Sequence, residues 1–200
     1  MAEQRQERAD AARNRRAVLR AAERLVAEHG GDHVSLDRVA AEAGVGKGTV
    51  FRRFGSRTGL LRALLEERSL ALREAIVDGP PPLGPGAPAR ERLTAFLDGL
   101  CGIAEANAAL LTAHEQACAD AKYTEPSYLF WHGHIAALVA EARPGLDADF
   151  AGFLAHALLA VFDGELVRRT ASPEEPRRFT RSVTELALAL LDAPAPPRIS

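Results

Sequence analysis

Residues 44–57 concentrate the side chains of this chain that are best suited to binding a polyanion. The segment reads Gly-Val-Gly-Lys-Gly-Thr-Val-Phe-Arg-Arg-Phe-Gly-Ser-Arg. Val50 and Phe54 are four residues apart, so on a helix they share one face and can anchor it to a core. The other side would present cationic and hydroxyl groups, from Lys47, Thr49, Arg52 and Arg53. A helix of this size that presents Thr, Lys and Arg fits the major groove of duplex DNA.

The residues before this segment predict the helix that holds it. Ser35 can cap a helix start, because its hydroxyl can accept a hydrogen bond from an unpaired backbone N–H. Apolar residues then recur at helical spacing, at Leu36, Val39, Ala40 and Ala43. Gly44 supplies the backbone freedom for a sharp helix end. Two helices joined by a tight turn containing glycine predict a helix-turn-helix.

Further helices flank this motif on both sides. Residues 17–29 carry an apolar stripe that ends at Gly30-Gly31, and Ser56 can cap a long helix rich in leucine.

Residues 10–66 as a whole resemble the DNA-binding domain of the TetR family of transcriptional regulators. The resemblance is carried by Val-Ala-Ala-Glu-Ala-Gly-Val-Gly-Lys-Gly-Thr-Val-Phe-Arg-Arg-Phe-Gly-Ser-Arg at 39–57. The rest of the chain is similar to the family only in its helical pattern and length.

The resemblance implies a homodimeric regulator that binds a palindromic DNA operator and responds to a small-molecule effector. Repression is the predicted mode, and activation stays open because the family pattern does not fix the sign. A second class also stays open, a ligand-binding or catalytic helical protein whose N-terminal helices only pack. The resemblance favours a non-enzymatic protein without a cofactor.

Individual residues can be given roles in DNA contact. Lys47 can reach a base edge or a phosphate, Thr49 can touch a thymine methyl, and the planar fork of Arg53 suits guanine or phosphate. Ser35 and Arg57 lie at helix starts that resemble the phosphate contacts of the family. The predicted set comprises Arg16, Ser35, Lys47, Gly48, Thr49, Phe51, Arg52, Arg53 and Arg57.

Two of these positions depart from the family pattern. The family usually has Tyr where this chain has Phe51, whose ring lacks the hydroxyl that commonly meets a phosphate. Its contact would therefore be apolar or by stacking. The helix within 44–57 that would enter the major groove is called the reading helix below. Gly48 adds backbone freedom within it, at a cost of about 1 kcal/mol relative to Ala.

Charge is distributed unevenly along the 200 residues, whose net formal charge is −2. Residues 1–62 hold 13 Lys and Arg against 8 Asp and Glu, a balance of +5, and the remainder holds 12 against 19. A basic N-terminal part followed by an acidic remainder is typical of a protein that binds DNA through its N-terminal part only. Surface charge that simply varies along a chain is the alternative.

Composition points to a globular chain, with 47% apolar residues. No apolar stretch is long enough for a transmembrane helix, and residues 1–16 lack the apolar core of a signal peptide. We therefore expect a cytoplasmic location. Cys101 and Cys118 do not make a disulfide framework and should remain thiols.

The helical pattern predicts an all-α fold of about nine helices. A three-helix helix-turn-helix domain over 1–55 would precede a helical bundle over 56–200 that binds ligand and dimerises. The Pro- and Gly-rich residues 79–88 break the pattern. Helices are then expected at 90–106, 107–120 (capped by Asn107), 125–143, 147–170 and 173–191, followed by a frayed tail.

The last two predicted helices are candidates for the dimer interface, which the resemblance implies as a four-helix arrangement. Residues 150–167 are apolar nearly all round, so they need cover on two sides. A monomer in which these helices are core is the alternative. The predicted interface residues are Phe153, Leu158, Phe162, Val183, Leu186 and Leu190.

An effector pocket among the middle helices is also implied by the resemblance. The candidates combine apolar or aromatic surface with a few polar tips, as ligand pockets do. The alternative for each is a plain core residue. The set comprises Phe96, Leu100, Leu111, His114, Cys118, Tyr128, Trp131, His132 and Ile135.

Other kinds of site find little support. Gly44 to Thr49 superficially resembles a phosphate-binding loop, but Gly48 separates the Lys from the Thr and no strand precedes it. His132 and His134 are two apart and would point in different directions on a helix. His114 and Cys118 share a face and could bind zinc, but no third and fourth ligands are evident. We therefore predict no metal site and no catalytic residues.

Overall fold

The computed structural model describes residues 1–30, 34–118, 122–171, 174–175 and 177–194. Within these ranges the chain is helical, without strands, and the predicted all-α class is confirmed. The described part contains ten α-helices, one more than the nine expected. They are α1 Ala2–His29, α2 Leu36–Ala43, α3 Lys47–Phe54, α4 Arg57–Asp78, α5 Ala89–Ala106, α6 Ala108–Cys118, α7 Pro126–Ala142, α8 Ala148–Ala160, α9 Gly164–Thr170 and α10 Arg178–Asp192, with a 3₁₀ turn at Lys122–Thr124.

The chain forms two compact units. The N-terminal unit comprises Met1–Arg68 and Ala109–Asp120, and the C-terminal unit comprises Ser69–Ala108 and Ala121–Ser200. Helix α4 therefore contributes residues to both units, and nearly all of α6 belongs to the first. The predicted boundary between the functional domains at residues 55 and 56 stays a prediction.

Local capping explains where the helices around α3 begin and end. The Ser35 hydroxyl oxygen accepts a hydrogen bond from the Arg38 backbone N–H at 3.2 Å, as predicted for the start of α2. Gly44 ends α2 in the left-handed conformation, with φ of 64°. The Ser56 hydroxyl oxygen accepts from the Gly59 backbone N–H at 3.1 Å, in the first turn of α4.

One apolar core holds the N-terminal unit together. It takes side chains from α1, α2, α3 and the first half of α4, and Leu110 and Ala113 of α6 join it. The Thr58 hydroxyl also donates to the Ala117 carbonyl oxygen at 2.9 Å, which links α4 to α6. Each fully buried Val, Leu or Phe contributes about 1.5–3 kcal/mol through water excluded from its surface.

The C-terminal unit is built around α5. This helix packs against α7 and α10, while α7 also packs against α8. Leu93, Phe96 and Leu97 of α5 are fully buried between these partners. Both cysteines of the chain are free, as expected. Burial, with a smaller contribution from Glu105, raises the pKa of Cys101 to about 12, so this thiol stays protonated.

Three expectations for the helices were wrong in detail. The single helix expected at 147–170 is two, because the Asp163 carboxylate accepts from the Leu166 backbone N–H at 2.9 Å and starts α9. Asn107 does not cap α6, since its amide donates to the Ile103 carbonyl oxygen at 2.8 Å and closes the end of α5. Helix α1 begins at Ala2, well before residue 17.

Several expected features lie partly or wholly outside the described residues: Gly31, the ends of the helices predicted at 107–120 and 173–191, and most of the tail. In the part of the chain that is described, no single helix has the length and hydropathy to cross a membrane. Two bent helix pairs reach that level by length and composition only.

Backbone conformation predicts opposite effects for two neighbouring glycines. No atom lies within 4 Å of a Cβ added at Gly44 or Gly48, so neither substitution is limited by space. Gly44→Ala should lower the free energy of unfolding by about 1–2 kcal/mol, because a Cβ disfavours positive φ. Gly48→Ala, within α3, should raise it by up to about 1 kcal/mol. Urea unfolding followed by circular dichroism measures both, and equal effects would contradict the explanation.

Candidate nucleic-acid interface

Helix α3 is held by two side chains and leaves its opposite face to solvent. Val50 is 1% exposed and Phe54 is 8% exposed, and both lie in the core of the N-terminal unit. This confirms the predicted anchoring pair. Thr49 is half-buried, and the remaining predicted contact residues of the helix are exposed: Lys47, Gly48, Phe51, Arg52 and Arg53.

Lys47 is positioned by two neighbours on the exposed surface. Its Nζ lies 2.6 Å from the Asp37 carboxylate of α2. It also lies 5.6 Å from the centroid of the Phe51 ring, one turn along α3. Both charged groups of the ion pair are exposed, so the pair contributes about 0–1 kcal/mol to stability. Its main consequence is that a carboxylate partly neutralises a cation of the reading helix.

The remaining arginines of the predicted set differ in their surroundings. One terminal nitrogen of Arg53 donates to the Ala11 carbonyl oxygen of α1 at 3.4 Å, a long and therefore weak bond. Arg16 and Arg52 are exposed, whereas Arg57 is half-buried at the start of α4. Ser35 is exposed too, and its hydroxyl oxygen is already used in the α2 cap. The exposed cations lie on α1 and α3, which meet at the contact between Arg53 and Ala11.

Sequence reasoning missed Asp37 as a neighbour of the interface. Asp37 and Lys47 are 10 residues apart, so no helical periodicity links them. The signal available was the motif itself, since the tight turn at 44–46 brings the first turn of α2 near the start of α3.

The family comparison agrees with this geometry. Residues 18–64 match the family described as "Bacterial regulatory proteins, tetR family". This part of the chain is therefore similar to the helix-turn-helix domain of TetR-family proteins. The matched residues run from the buried stripe of α1 through α2 and α3 into the first half of α4, and of the elements in this core only α6 lies outside them.

A curated relative supports the same family. The HTH-type transcriptional repressor LfrR of Mycolicibacterium smegmatis is 42% identical over 73 residues. These residues make up 36% of this chain and 38% of that repressor. The match therefore spans well under half of the relative.

Solved structures extend the similarity of fold to most of the chain. A TetR-like transcriptional regulator from Rhodococcus sp. RHA1 matches with a TM-score of 0.62 and 21% identity, covering 90% of this chain and 97% of that one. NalD, the secondary repressor of the MexAB-OprM multidrug efflux pump in Pseudomonas aeruginosa, matches with a TM-score of 0.54 and 22% identity, covering 90% and 95%. At these identities the comparison shows the TetR-type fold alone.

The nine residues predicted to bind an effector divide between the two units. Leu111, His114 and Cys118 lie on α6 in the N-terminal unit, where His114 Nδ1 is 3.7 Å from Cys118 Sγ. The other six lie in the C-terminal unit: Phe96, Leu100, Tyr128, Trp131, His132 and Ile135. A groove of about 770 Å³ between α5 and α10 is lined by none of the nine. The predicted pocket stays a prediction.

Within the C-terminal unit, His132 and His134 face different helices, as expected for residues two apart. His132 Nε2 lies 3.0 Å from the Gly152 carbonyl oxygen of α8, whereas the His134 ring meets Phe96 of α5 at 4.9 Å between centroids. His156 of α8, which sequence reasoning missed, lies 2.6 Å from the Tyr128 hydroxyl. Partial burial and the neighbouring His132 lower its pKa.

The predicted dimer residues also divide, by exposure. Phe153 is 63% exposed and Leu186 is 40% exposed, so both present apolar surface to solvent. Phe162 and Leu190 are half-buried. Leu158 and Val183 are buried in their own chain, so they support the helices and present no surface.

The ion pair between Asp37 and Lys47 predicts that an acidic side chain restrains DNA binding. Asp37→Asn should tighten binding to a duplex and steepen its salt dependence by up to about one counterion, because Lys47 is no longer neutralised. Lys47→Met should do the opposite, and Asp37→Asn should have no effect in the Lys47→Met background. Fluorescence anisotropy with a labelled duplex over a salt series measures this.

A matched control is Glu42→Gln, which removes an exposed carboxylate that pairs with Arg24 at 2.9 Å. An equal gain in affinity from Glu42→Gln would show a general charge effect and not one acting through Lys47.

Proposed function

We propose that this protein is a transcriptional regulator that docks α3 in the major groove of an operator. The observation that carries the proposal is the exposed face of α3, which presents Lys47, Arg52 and Arg53 while Val50 and Phe54 hold the helix to its core. The TetR-family match over residues 18–64 supports it. Phosphate contacts would position the helix, and contacts to base edges would supply specificity.

Binding as a homodimer is part of this proposal. One helix of eight residues reaches few base pairs, and a twofold pair would place two copies of α3 about 34–36 Å apart on a palindrome, or a multiple of that distance. Exposed apolar side chains on α8, α9 and α10 support pairing through these helices, namely Phe153, Leu166 and Leu186. Such residues lose water-exposed apolar surface when two copies meet.

Repression released by a small molecule is the mode that we favour. The curated relative LfrR and the structural neighbour NalD are both described as repressors. An effector that binds one arrangement of the dimer better by about 1–3 kcal/mol would shift operator occupancy measurably. We assign the protein no catalytic activity and no cofactor.

Selection of bound sequences from a random DNA pool tests the proposal directly. We expect an enriched palindrome whose affinity falls steeply as salt is raised, because phosphate neutralisation releases counterions. Arg53→Ala should weaken binding to the selected site by about 1–3 kcal/mol if its guanidinium contacts a base.

Arg168→Ala is the matched control, since Arg168 is an exposed arginine of α9 in the other unit. If Arg53→Ala weakens binding to random DNA as much as binding to the selected site, Arg53 contacts a phosphate and not a base. A folded dimer that enriches no sequence at low salt would refute the proposed function.

Introducing negative charge into the exposed apolar surface of α8 and α10 tests the proposed dimer. Phe153→Glu combined with Leu186→Glu should shift the protein from dimer to monomer in sedimentation velocity, because carboxylates in an apolar interface lose their hydration. Leu129→Glu is the control, as Leu129 of α7 is 53% exposed and lies outside the predicted interface helices. Dissociation by Leu129→Glu alone would place the interface elsewhere.

A further inference from the structure

Arg73 of α4 stacks on two aromatic rings of α7 in the C-terminal unit. Its guanidinium carbon lies 4.2 Å from the centroid of Phe130 and 5.1 Å from that of Trp131. Stacking uses the faces of the guanidinium and leaves its N–H edge available for a planar acceptor. Within the described residues no carboxylate pairs with Arg73, and its buried Nε has no hydrogen-bond acceptor.

Two more donors border the same aromatic cluster. The Phe96 ring lies 5.5 Å from Trp131 and 4.9 Å from His134, measured between centroids. Arg92, one turn before Phe96 on α5, interacts electrostatically with His134. The buried Arg92 Nε and His134 Nε2 also lack hydrogen-bond partners among the described residues. Three helices thus each contribute one buried polar atom to the surroundings of these aromatic rings, and two of the three atoms are obligate N–H donors.

The charges of this cluster do not balance. Arg92 lies 3.5 Å from the Glu141 carboxylate, which compensates one of the two guanidinium charges. Burial, with a smaller contribution from Arg92, lowers the pKa of His134, so its imidazole is neutral at pH 7 and can donate one N–H. Among the described residues no carboxylate forms an ion pair with Arg73, so its positive charge has no partner there. A bound carboxylate would satisfy the buried N–H group and supply the missing negative charge together.

Apolar side chains flank Arg73 on the same face of α4. Leu70 and Val77 lie about one turn before and after it, and they are 52% and 54% exposed. A ligand with an anionic head and an apolar body would pair its charge with Arg73 and cover these side chains.

We propose that Arg73, with Arg92 and His134, binds the carboxylate of a small amphipathic acid. As an effector site this rests on the proposed function, but binding itself needs no DNA. The carboxylate accepts hydrogen bonds from the Arg73 edge and neutralises its charge. A neutral amide of the same shape would leave the charge uncompensated and bind more weakly.

Trp131 makes the test direct, because it is the only tryptophan in the chain and its ring contacts Arg73. Octanoate and octanamide, below micelle-forming concentrations, are titrated against the full-length protein while Trp131 fluorescence is followed. Octanoate should bind about tenfold or more tightly than octanamide, as expected for a charge-assisted hydrogen bond. Arg73→Met should remove this preference, and Arg168→Met should retain it.

Three results would overturn the proposal: equal binding of acid and amide, no binding of octanoate, or an unchanged preference in Arg73→Met. If Arg73→Met does not fold, as judged by circular dichroism, Arg73→Gln and Arg92→Gln take its place, and each should reduce the preference. Failure of the protein to bind any DNA would refute the proposed function alone, because no DNA enters this measurement.

Discussion

The burial of Val50 and Phe54 is the interaction on which the nucleic-acid interface depends. A helix of eight residues is not stable in water on its own. The conformational entropy lost in ordering its first turn outweighs the stabilisation from its few hydrogen bonds. The two side chains bind α3 to the core and at the same time determine which face remains outside. Capping by Ser35 and Ser56, with the left-handed turn at Gly44, fixes where α2 begins and ends and stabilises the first turn of α4, so the helices on both sides of α3 have defined ends.

The core behind α3 is assembled from distant parts of the chain. Leu110 and Ala113 of α6 lie among the buried side chains of α1 to α4, and Thr58 bonds to Ala117. The surface that would meet DNA is therefore supported by a helix that follows it by more than 50 residues in the sequence. A change that moves α6 alters the packing beneath the reading helix, because close-packed cores transmit displacement.

Helix α7 plays the corresponding part in the C-terminal unit by carrying polar and aromatic groups on two sides. Tyr128 and His132 meet α8 through His156 and the Gly152 carbonyl. Phe130, Trp131 and His134 meet α4 and α5 through Arg73 and Phe96. Polar atoms placed inside a helical bundle weaken it unless they find partners. The donors around Arg73 that lack acceptors among the described residues therefore point to a role beyond folding.

The sequence by itself determined the helices around the reading segment, the anchoring pair and two of the caps. These are local features, set by periodicity and by hydrogen bonds between residues a few positions apart. Composition and pattern also predicted the all-helical class. The break that starts α9 was local as well, but the apolar run around Asp163 concealed it.

Only the tertiary structure decided the contacts between residues that periodicity cannot relate. It placed Asp37 on Lys47, put α6 in the N-terminal unit, buried Leu158 and Val183 within their own chain, and brought Arg73 onto Phe130 and Trp131. The physical reason is that each depends on which helix faces pack together. Many packings satisfy the same apolar stripes, and they are distinguished by side-chain shape and charge across the whole core.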